Sequence, residues 1–562
     1  MATSAYQYIT DRRWFERFLE ILPGALTWLF LIAPIGLSFI KPLWVAYFII
    51  AFDLYWLLKA FRLSIFLVRG YSQLHRTQRI NWAHRLDWLE DPKPHLAKVE
   101  RRMRDLVSAY PSVKRRLQFS ASGLKAHQKY LGIANEIDTL RDIEQHEAAI
   151  IKPSELYHLV IIATYNESYE ILRSSIEALL HSEYRRDRLM VVIAYEERGG
   201  QATKETAESL VAEFGPKFRH AQAIMHPDGI VGELQGKGAN LTFAGRQMAK
   251  IIGGDGMNPE NIIVTTLDSD HRVDKQYFSR LSYVYATNPN RLHKSYQPVP
   301  MFYNNIWDAP APMRVIATNN SFWVLIEAMR PHRLRNFAAH AQSFKALLDT
   351  DFWSVTSPVE DGHQYWRSWF AFDGDHEVLP LYIPVYQDAV LDKTYLKTFV
   401  AQYKQMRRWA FGVSDFPYVV RHAIRNKHIP FLEKVIQIFR LFEGHFSWAT
   451  AALVVSFVAW LPLFLNPHFA RQELAHQLPI IASRLMNVAT IGLVITVAVS
   501  MISLPPRPPH HGRTRSLGML IQWALLPVVA ILFGSFAAID SQTRLMLGKH
   551  LGFYVTPKAR RE

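Results

Sequence analysis

Long apolar segments stand at both ends of this 562-residue chain and nowhere between. Residues 18–40, FLEILPGALTWLFLIAPIGLSFI, and 43–61, LWVAYFIIAFDLYWLLKAF, are separated only by Lys41 and Pro42. Each approaches the roughly 20 apolar residues that a helix needs to cross a bilayer. Three more segments, 446–465, 485–504 and 517–539, lie near the end. The first is too long, and too soon followed by the second, for a cleavable signal peptide. Arg62, Arg69, Arg76 and Arg79 follow the second segment with no acid among them. By the positive-inside rule that side is the cytoplasm. The expected location is therefore a multi-pass protein of the inner or plasma membrane, with its central domain in the cytoplasm and the lipid bilayer as a partner. The expected division is two transmembrane helices in 1–62, a basic amphipathic helical region in 63–152 and an α/β domain in 153–434. An interfacial helix with the remaining membrane segments occupies 435–540, and a cytoplasmic tail 541–562.

The tail poses a counting problem. Three crossings after residue 434 would put it outside, yet it carries Arg544, Lys549, Lys558, Arg560 and Arg561 against Glu562. Pro527 and Gly534 interrupt the last apolar segment, and both weaken a helix. The expectation is that 517–539 bends back or lies partly in the interface. The alternative is a miscounted span within 431–465. The spans otherwise read as lacking the buried charges of an ion pathway, which disfavours a transporter.

A net charge of +15 admits nucleic acid, anionic lipid or anionic substrates as partners. No zinc-finger spacing, RNA-recognition signature or recognition-helix pattern accompanies the charge, so nucleic acid is not expected. The absence of cysteine excludes disulfides and thiolate metal sites.

From residue 157 strands and helices alternate. YHLVIIATYNES reads as a buried strand ending in a polar turn, and the residues after it have helical spacing. RLMVVIAYEERGG is a second strand and RHAQAIMHPDG a third. GKGANLTFAGRQMAKII is a turn and helix, and NIIVTTLDSDHRVD a further strand. Such alternation predicts parallel βαβ units, whose polar turns gather at one sheet edge. Asp268 and Asp270 fall at that edge. Asp also suits ordinary turns, but two carboxylates one residue apart offer hard oxygens to Mg²⁺ or Mn²⁺.

Four further features share the chain with them. SPVEDGHQYW carries Glu360 and Asp361, QYKQMRRWAFG carries Gln405, Arg408 and Trp409, and ATYNES and GKGAN supply turn donors, with Tyr165, Glu167 and Lys237. FYVTPK, Phe553 to Lys558, lies near the end. A D-x-D, an E-D about ninety residues on and a Q-x-x-R-W about forty-five later, with flanking membrane segments, resemble the membrane-embedded family-2 glycosyltransferases such as cellulose synthase and hyaluronan synthase. The resemblance covers roughly 155–465. In the tail, Phe553, Val555, Thr556 and Lys558 match the F-x-V-T-x-K gating loop of bacterial cellulose synthase.

The resemblance implies an α/β GT-A catalytic fold with a Rossmann-like, mostly parallel sheet, beside an α-helical transmembrane bundle. It also implies a nucleotide-sugar donor, with a UDP-sugar favoured, a divalent metal and inversion at the anomeric carbon. A growing glycan is the implied acceptor, and accessory export proteins are compatible partners. The alternative within the same class is transfer of one sugar to a lipid-linked acceptor. Asp270 is the first choice as metal ligand, with Asp268 on the metal or the ribose. Asp361 is the expected base, Glu360 the second choice. Lys237, Thr556 and Lys558 are expected at the donor phosphates, Tyr165 and Glu167 elsewhere on the donor. Trp409 offers a stacking face to an acceptor sugar, with Arg408 and Gln405 beside it.

Two departures are visible. The family's Asp at the end of the second strand is replaced by Glu196 or Glu197, which leaves the base open. The usual T-E-D reads V-E-D, with Val359. No cyclic-dinucleotide receptor domain is expected to control this chain from within. A phosphatase of the haloacid dehalogenase type also uses D-x-D, but it needs Thr or Val where this chain has Arg272.

Overall fold

The computed structural model describes residues 13–111, 113, 121–552 and 554–557. Phe553, Lys558 and the residues after it lie outside the described residues.

Eight strands form one mixed, mostly parallel sheet: β1 (Tyr157–Thr164), β2 (Leu189–Glu196), β3 (His220–His226), β4 (Ile262–Asp268), β5 (Arg272–Val273), β6 (Lys294–Met301), β7 (His340–Ser343) and β8 (Glu377–Tyr386). Their order is β3-β2-β1-β4-β7-β6-β8-β5. The first four are parallel neighbours, as the apolar runs predict, because a strand buried on both faces needs no alternation. β7 pairs antiparallel with both β4 and β6, and β5 antiparallel with β8. The short segment His340–Ser343 is buried throughout but carries no apolar run that would mark it as a strand. The fold class is α/β, a Rossmann-like, mostly parallel half joined through β7 to a second group of strands, with apolar helices at both chain ends.

Register places the functional edge. Ala163 pairs with Asp268 and Thr164 with Tyr195, so the carboxyl ends of β1, β2 and β4 finish level with one another. The apolar face of the sheet is covered on one side by the helices Trp82–Glu90, Pro92–Ala109 and Ala121–Gln145. Their Trp82, Trp88, Val99, Leu140 and Ile143 join Val160 and Ile162 in one core. The apolar face of this basic region thus packs on the α/β domain.

Among the described residues, four helices are long and apolar enough to cross a membrane: Trp14–Ile40, Pro42–Gln78, Glu473–Ser503 and Arg513–Met546. The fifth apolar segment, 446–465, is not among them. It is shared between the helix Phe431–Phe457, a 3₁₀ turn Val458–Trp460 and the short helix Leu461–Leu465. The helix Phe431–Phe457 begins with Glu433, Lys434, Arg440 and Glu443, and Glu443 pairs with Lys59 at 2.6 Å and Arg333 at 3.1 Å. Glu443 thus ties the middle of this helix to Pro42–Gln78 and to the α/β domain. Pro42–Gln78 runs unbroken past residue 62, and Phe536–Met546 runs past 540. Asp53 is buried within Pro42–Gln78 on the face of Ala46 and Ile49, which corrects the reading of spans without buried charge.

The last long helix follows the α/β domain along its length. Arg515 donates to Trp307 O at 3.0 Å, Phe399 meets Phe533 at 5.9 Å between ring centres, and Arg407 pairs with Asp540 at 3.0 Å. Within it Gln522–Leu525 is 3₁₀ and Ala530–Ser535 a π-turn, the irregularities that Pro527 and Gly534 foreshadow.

Candidate active site

Each motif reaches the cleft on a different element. Thr164 and Tyr165 leave the end of β1, and Glu196 ends β2. Lys237 opens the helix Lys237–Gly254, Asp268 ends β4, and Glu360 and Asp361 open the helix Glu360–Ala371. Gln405, Arg408 and Trp409 occupy the helix Tyr395–Ala410. All of these, with Glu167, Asp270 and Thr556, line one cleft. Glu197 faces a neighbouring pocket, where its Oε2 accepts from Asp228 N at 2.9 Å.

Two glycines make the convergence sterically possible. A Cβ on Gly238 would stand 2.3 Å from Ser354 O and 3.0 Å from Glu360 Cβ. A Cβ on Gly199 would stand 2.1 Å from Tyr165 O. The glycines of GKGAN and of EERGG therefore let the E-D loop approach the helix Lys237–Gly254, and the β1 loop approach β2.

Charge is concentrated at the centre. Lys237 Nζ lies 2.6 Å from Asp268 Oδ1 and 3.9 Å from Glu360 Oε1, and donates to Ala338 O at 3.1 Å. Burial pushes its ammonium toward the neutral form, but Asp268 and Glu360 outweigh this and hold its pKa above the usual value. The carboxyl of Glu360 is pushed up to about 7 by burial and by the charge of Asp361, against the pull of Lys237. Its Oε2 has no hydrogen-bond partner among the described residues. Burial also raises Asp361, while Lys237, the Gly362 N–H at 2.8 Å and Arg408 hold it down. The two adjacent carboxyls thus share a setting that favours one proton between them.

Asp268, Asp270 and His271 present ligand atoms within 4.8 Å of one another. His271 has no counterpart in the sequence reading, since nothing marks it beyond its place after the D-x-D. Its Nδ1 accepts from Asp268 N at 3.0 Å. A neutral imidazole in that tautomer carries its hydrogen on Nε2, which lies 3.6 Å from Asp268 Oδ2. His271 then orients Asp268 and leaves the ligand role to carboxylate oxygens. That donor set fits Mg²⁺ or Mn²⁺ better than an imidazole-seeking metal.

Asp388, also missed, lines the cleft, and its backbone N donates to Asp270 Oδ2 at 2.7 Å. Asn240 Nδ2 donates to Ala194 O at 2.7 Å and ties the helix Lys237–Gly254 to β2.

On the donor side, Arg198 Nε lies 2.5 Å from Glu196 Oε2, and its guanidinium stacks 4.2 Å over the Tyr165 ring. Glu167 turns inward: its Oε2 accepts from Thr164 Oγ1 at 2.7 Å and Tyr165 N at 2.8 Å, so it shapes the loop after β1. On the other side, Arg408 donates to Pro358 O at 3.0 Å, tying the Q-x-x-R-W helix to the E-D loop. The tail closes this edge: Gln405 Nε2 donates to Thr556 Oγ1 at 3.2 Å, and Lys404 Nζ lies 5.0 Å over the Tyr554 ring.

No protein-family model and no curated protein matches the sequence. Among solved structures it is similar to the mannosyltransferase PcManGT from Pyrobaculum calidifontis in complex with GDP-Man and Mn²⁺, at 17% identity and TM-score 0.38, over 60% of this chain and 86% of that one. It is also similar to S. aureus TarS 1–349 in complex with UDP-GlcNAc, at 12% identity and TM-score 0.33, over 60% and 91%. Likenesses this distant transfer no activity, and the fold assignment rests on the strand order given above.

Proposed function

We propose that this chain is a membrane-bound, inverting glycosyltransferase that moves a sugar from a nucleotide-sugar donor to a growing glycan. One observation carries the reading. Five segments between Lys237 and Thr556 bring carboxylates, a buried lysine, a guanidinium, an indole and the tail Thr556 into a single cleft at the carboxyl edge of a parallel sheet. A merely structural role would not require these residue types at one edge.

The donor's pyrophosphate would lie against Lys237 and the D-x-D, which pair with each other at 2.6 Å. A divalent ion held there by Asp270 and Asp268 would neutralise the leaving diphosphate. Lys237 holds positive charge at that position and keeps Asp268 oriented. Tyr165 and Glu196, braced by Arg198, stand where the base and ribose would lie. Asp361 accepts the proton of the attacking acceptor hydroxyl, which arrives from the face opposite the diphosphate. Glu360, protonated near neutral pH, adds no second charge beside it. Trp409 offers its indole face to the acceptor sugar.

Processive transfer coupled to export is the reading we favour within the class. Its support is that Trp409 packs into the same apolar cluster as Leu67, Val499 and Phe533 from the long end helices, so the acceptor side of the cleft faces the membrane segments. We further infer that Arg513–Met546 lies along the membrane-facing surface of the catalytic domain, since both its ends touch that domain. That keeps the tail on the same side as the cleft without an extra crossing, in the inner or plasma membrane with the domain cytoplasmic. The test is incubation of the purified chain with UDP-, GDP- and other nucleotide sugars, reading nucleoside diphosphate release and product length. No release from any donor would refute the transferase; release with a product one sugar longer would place the acceptor among lipid-linked single-transfer substrates.

A further inference from the structure

A loop away from the cleft brings a second set of metal-binding groups together. Pro505 to Gly512 joins the helices Glu473–Ser503 and Arg513–Ile521, and its His510 and His511 both turn to one carboxylate of the catalytic domain. His511 Nε2 lies 2.9 Å and His510 Nε2 3.6 Å from the same oxygen, Asp308 Oδ1. All three ligand atoms fall within 4.8 Å of one another, and the two imidazole rings are 4.3 Å apart. In a tetrahedral site with bonds of about 2.0–2.1 Å, ligand atoms stand roughly 3.3–3.4 Å apart. The two measured separations bracket that value.

Hydrogen bonds alone can reach these distances, since a carboxylate oxygen accepts two. They leave one feature without a reason: His510, whose side chain is 65% exposed, turns to the oxygen that His511 already meets, with the two rings 4.3 Å apart. A cation between the three uses both nitrogens and the carboxylate at once.

The surroundings hold the ligands in place. Trp307 Nε1 donates to Pro505 O at 3.2 Å, and Arg515 donates to Trp307 O at 3.0 Å and 2.6 Å. Asp308 N donates to Asn305 O at 3.0 Å. Asn305 in turn exchanges hydrogen bonds with Ala389 at 2.9 Å and 2.7 Å, the residue after Asp388 in the cleft. Four prolines in PPRPPHH limit the loop's freedom.

We infer that Asp308, His510 and His511 bind a divalent transition ion of the zinc class, with water completing the shell, and that the ion clamps the 505–512 loop to the catalytic domain. Two imidazoles and one carboxylate suit such a metal and not Mg²⁺. The site shares no ligand with the D-x-D cleft, so it stands whether or not the chain transfers sugar.

The test uses the full-length chain in detergent without a polyhistidine tag, stripped by chelator and then held in excess Mg²⁺ to occupy carboxylate sites. Co²⁺ is the probe, because its visible absorption reports nitrogen and oxygen ligation. The expected result is one equivalent of Co²⁺ with a d–d spectrum, displaced by Zn²⁺, and a Zn²⁺-dependent rise in Tm. His510→Ala, at an exposed position that leaves the fold intact, should weaken Co²⁺ binding by at least roughly tenfold and abolish the Tm rise. Asp308→Asn should do the same. No bound Co²⁺ in the parent chain, or equal binding in both variants, would overturn the proposal and leave the trio a hydrogen-bonded tether.

Discussion

Asp361→Asn separates proton acceptance from geometry. The Gly362 N–H that meets Asp361 Oδ1 at 2.8 Å is kept by the amide oxygen of Asn. Arg408 remains tied to Pro358 O. What disappears is a group that can take the acceptor's proton. General base catalysis contributes about 10²–10⁴-fold, so the barrier should rise by roughly 2.7–5.4 kcal/mol. The partner variant is Glu360→Gln, which mimics the protonated carboxyl. The sign is then fixed. Asp361 works ionised, and burial raises its pKa, so turnover of the parent chain should fall as pH drops through a value above the ordinary carboxylate range. In Glu360→Gln most turnover should remain, and the acid limb should stay close to that of the parent chain, because Glu360 is already protonated where Asp361 titrates. In Asp361→Asn turnover should fall by at least ~10²-fold with donor affinity largely kept, and the acid limb should vanish. The assay is initial rate of nucleoside diphosphate release from pH 4 to 9, with donor binding measured calorimetrically. Near-normal turnover in Asp361→Asn, or a loss in Glu360→Gln as large as in Asp361→Asn, would refute this assignment.

Chelator should abolish transfer and Mg²⁺ or Mn²⁺ restore it, while Asp270→Ala stays inactive with an unchanged Tm; full activity in chelator would remove the metal from the reaction. Trp409→Ala should shorten the product more than it weakens donor binding, read by product sizing and calorimetry. Gly238→Ala drives a Cβ into Ser354 O and toward Glu360, so stability should fall by about 1–3 kcal/mol and turnover with it, measured by denaturant unfolding and rate. Deleting 553–562 should cut transfer sharply with little change in expression, and a lone cysteine in Ala559→Cys should resist an impermeant thiol reagent in intact cells.

The first half of the sheet was legible because β1, β2 and β4 are buried on both faces and so read as continuous apolar runs. β6 to β8 were not. Lys294–Met301 contains Lys, Ser, Gln and two prolines, and His340–Ser343 only one apolar residue. These segments are strands because tertiary pairing, β7 with β4 and β6 and β6 with β8, supplies their hydrogen bonds, not because of local preference. The fifth apolar segment was counted by composition over 446–465. The helix that contains its start begins at Phe431, and Glu443, just ahead of the apolar stretch, pairs with Lys59 and Arg333 and anchors the helix there.

The site divides along the same line. Carboxylates and lysines at strand ends and helix starts could be named from sequence, because the topology sends every such end to one edge. Groups that act through a neighbour's backbone could not. Asp388 enters through its N–H on Asp270 Oδ2, His271 through the N–H of Asp268, and Arg198 by bracing Glu196 over the Tyr165 ring. None of these contacts leaves a pattern in spacing. The tail is the intermediate case. Its motif was readable, but its reach depended on whether the helix before it crossed a membrane. Contacts with Trp307 at one end and Arg407 at the other run that helix along the catalytic domain. The bond from Gln405 to Thr556 is then a consequence of path length: ten residues separate Met546 from Thr556, and an extended chain of that length spans at most roughly 33–36 Å. A tail released on the far side of a hydrocarbon core about 30 Å thick could not make that bond and also clear the interface.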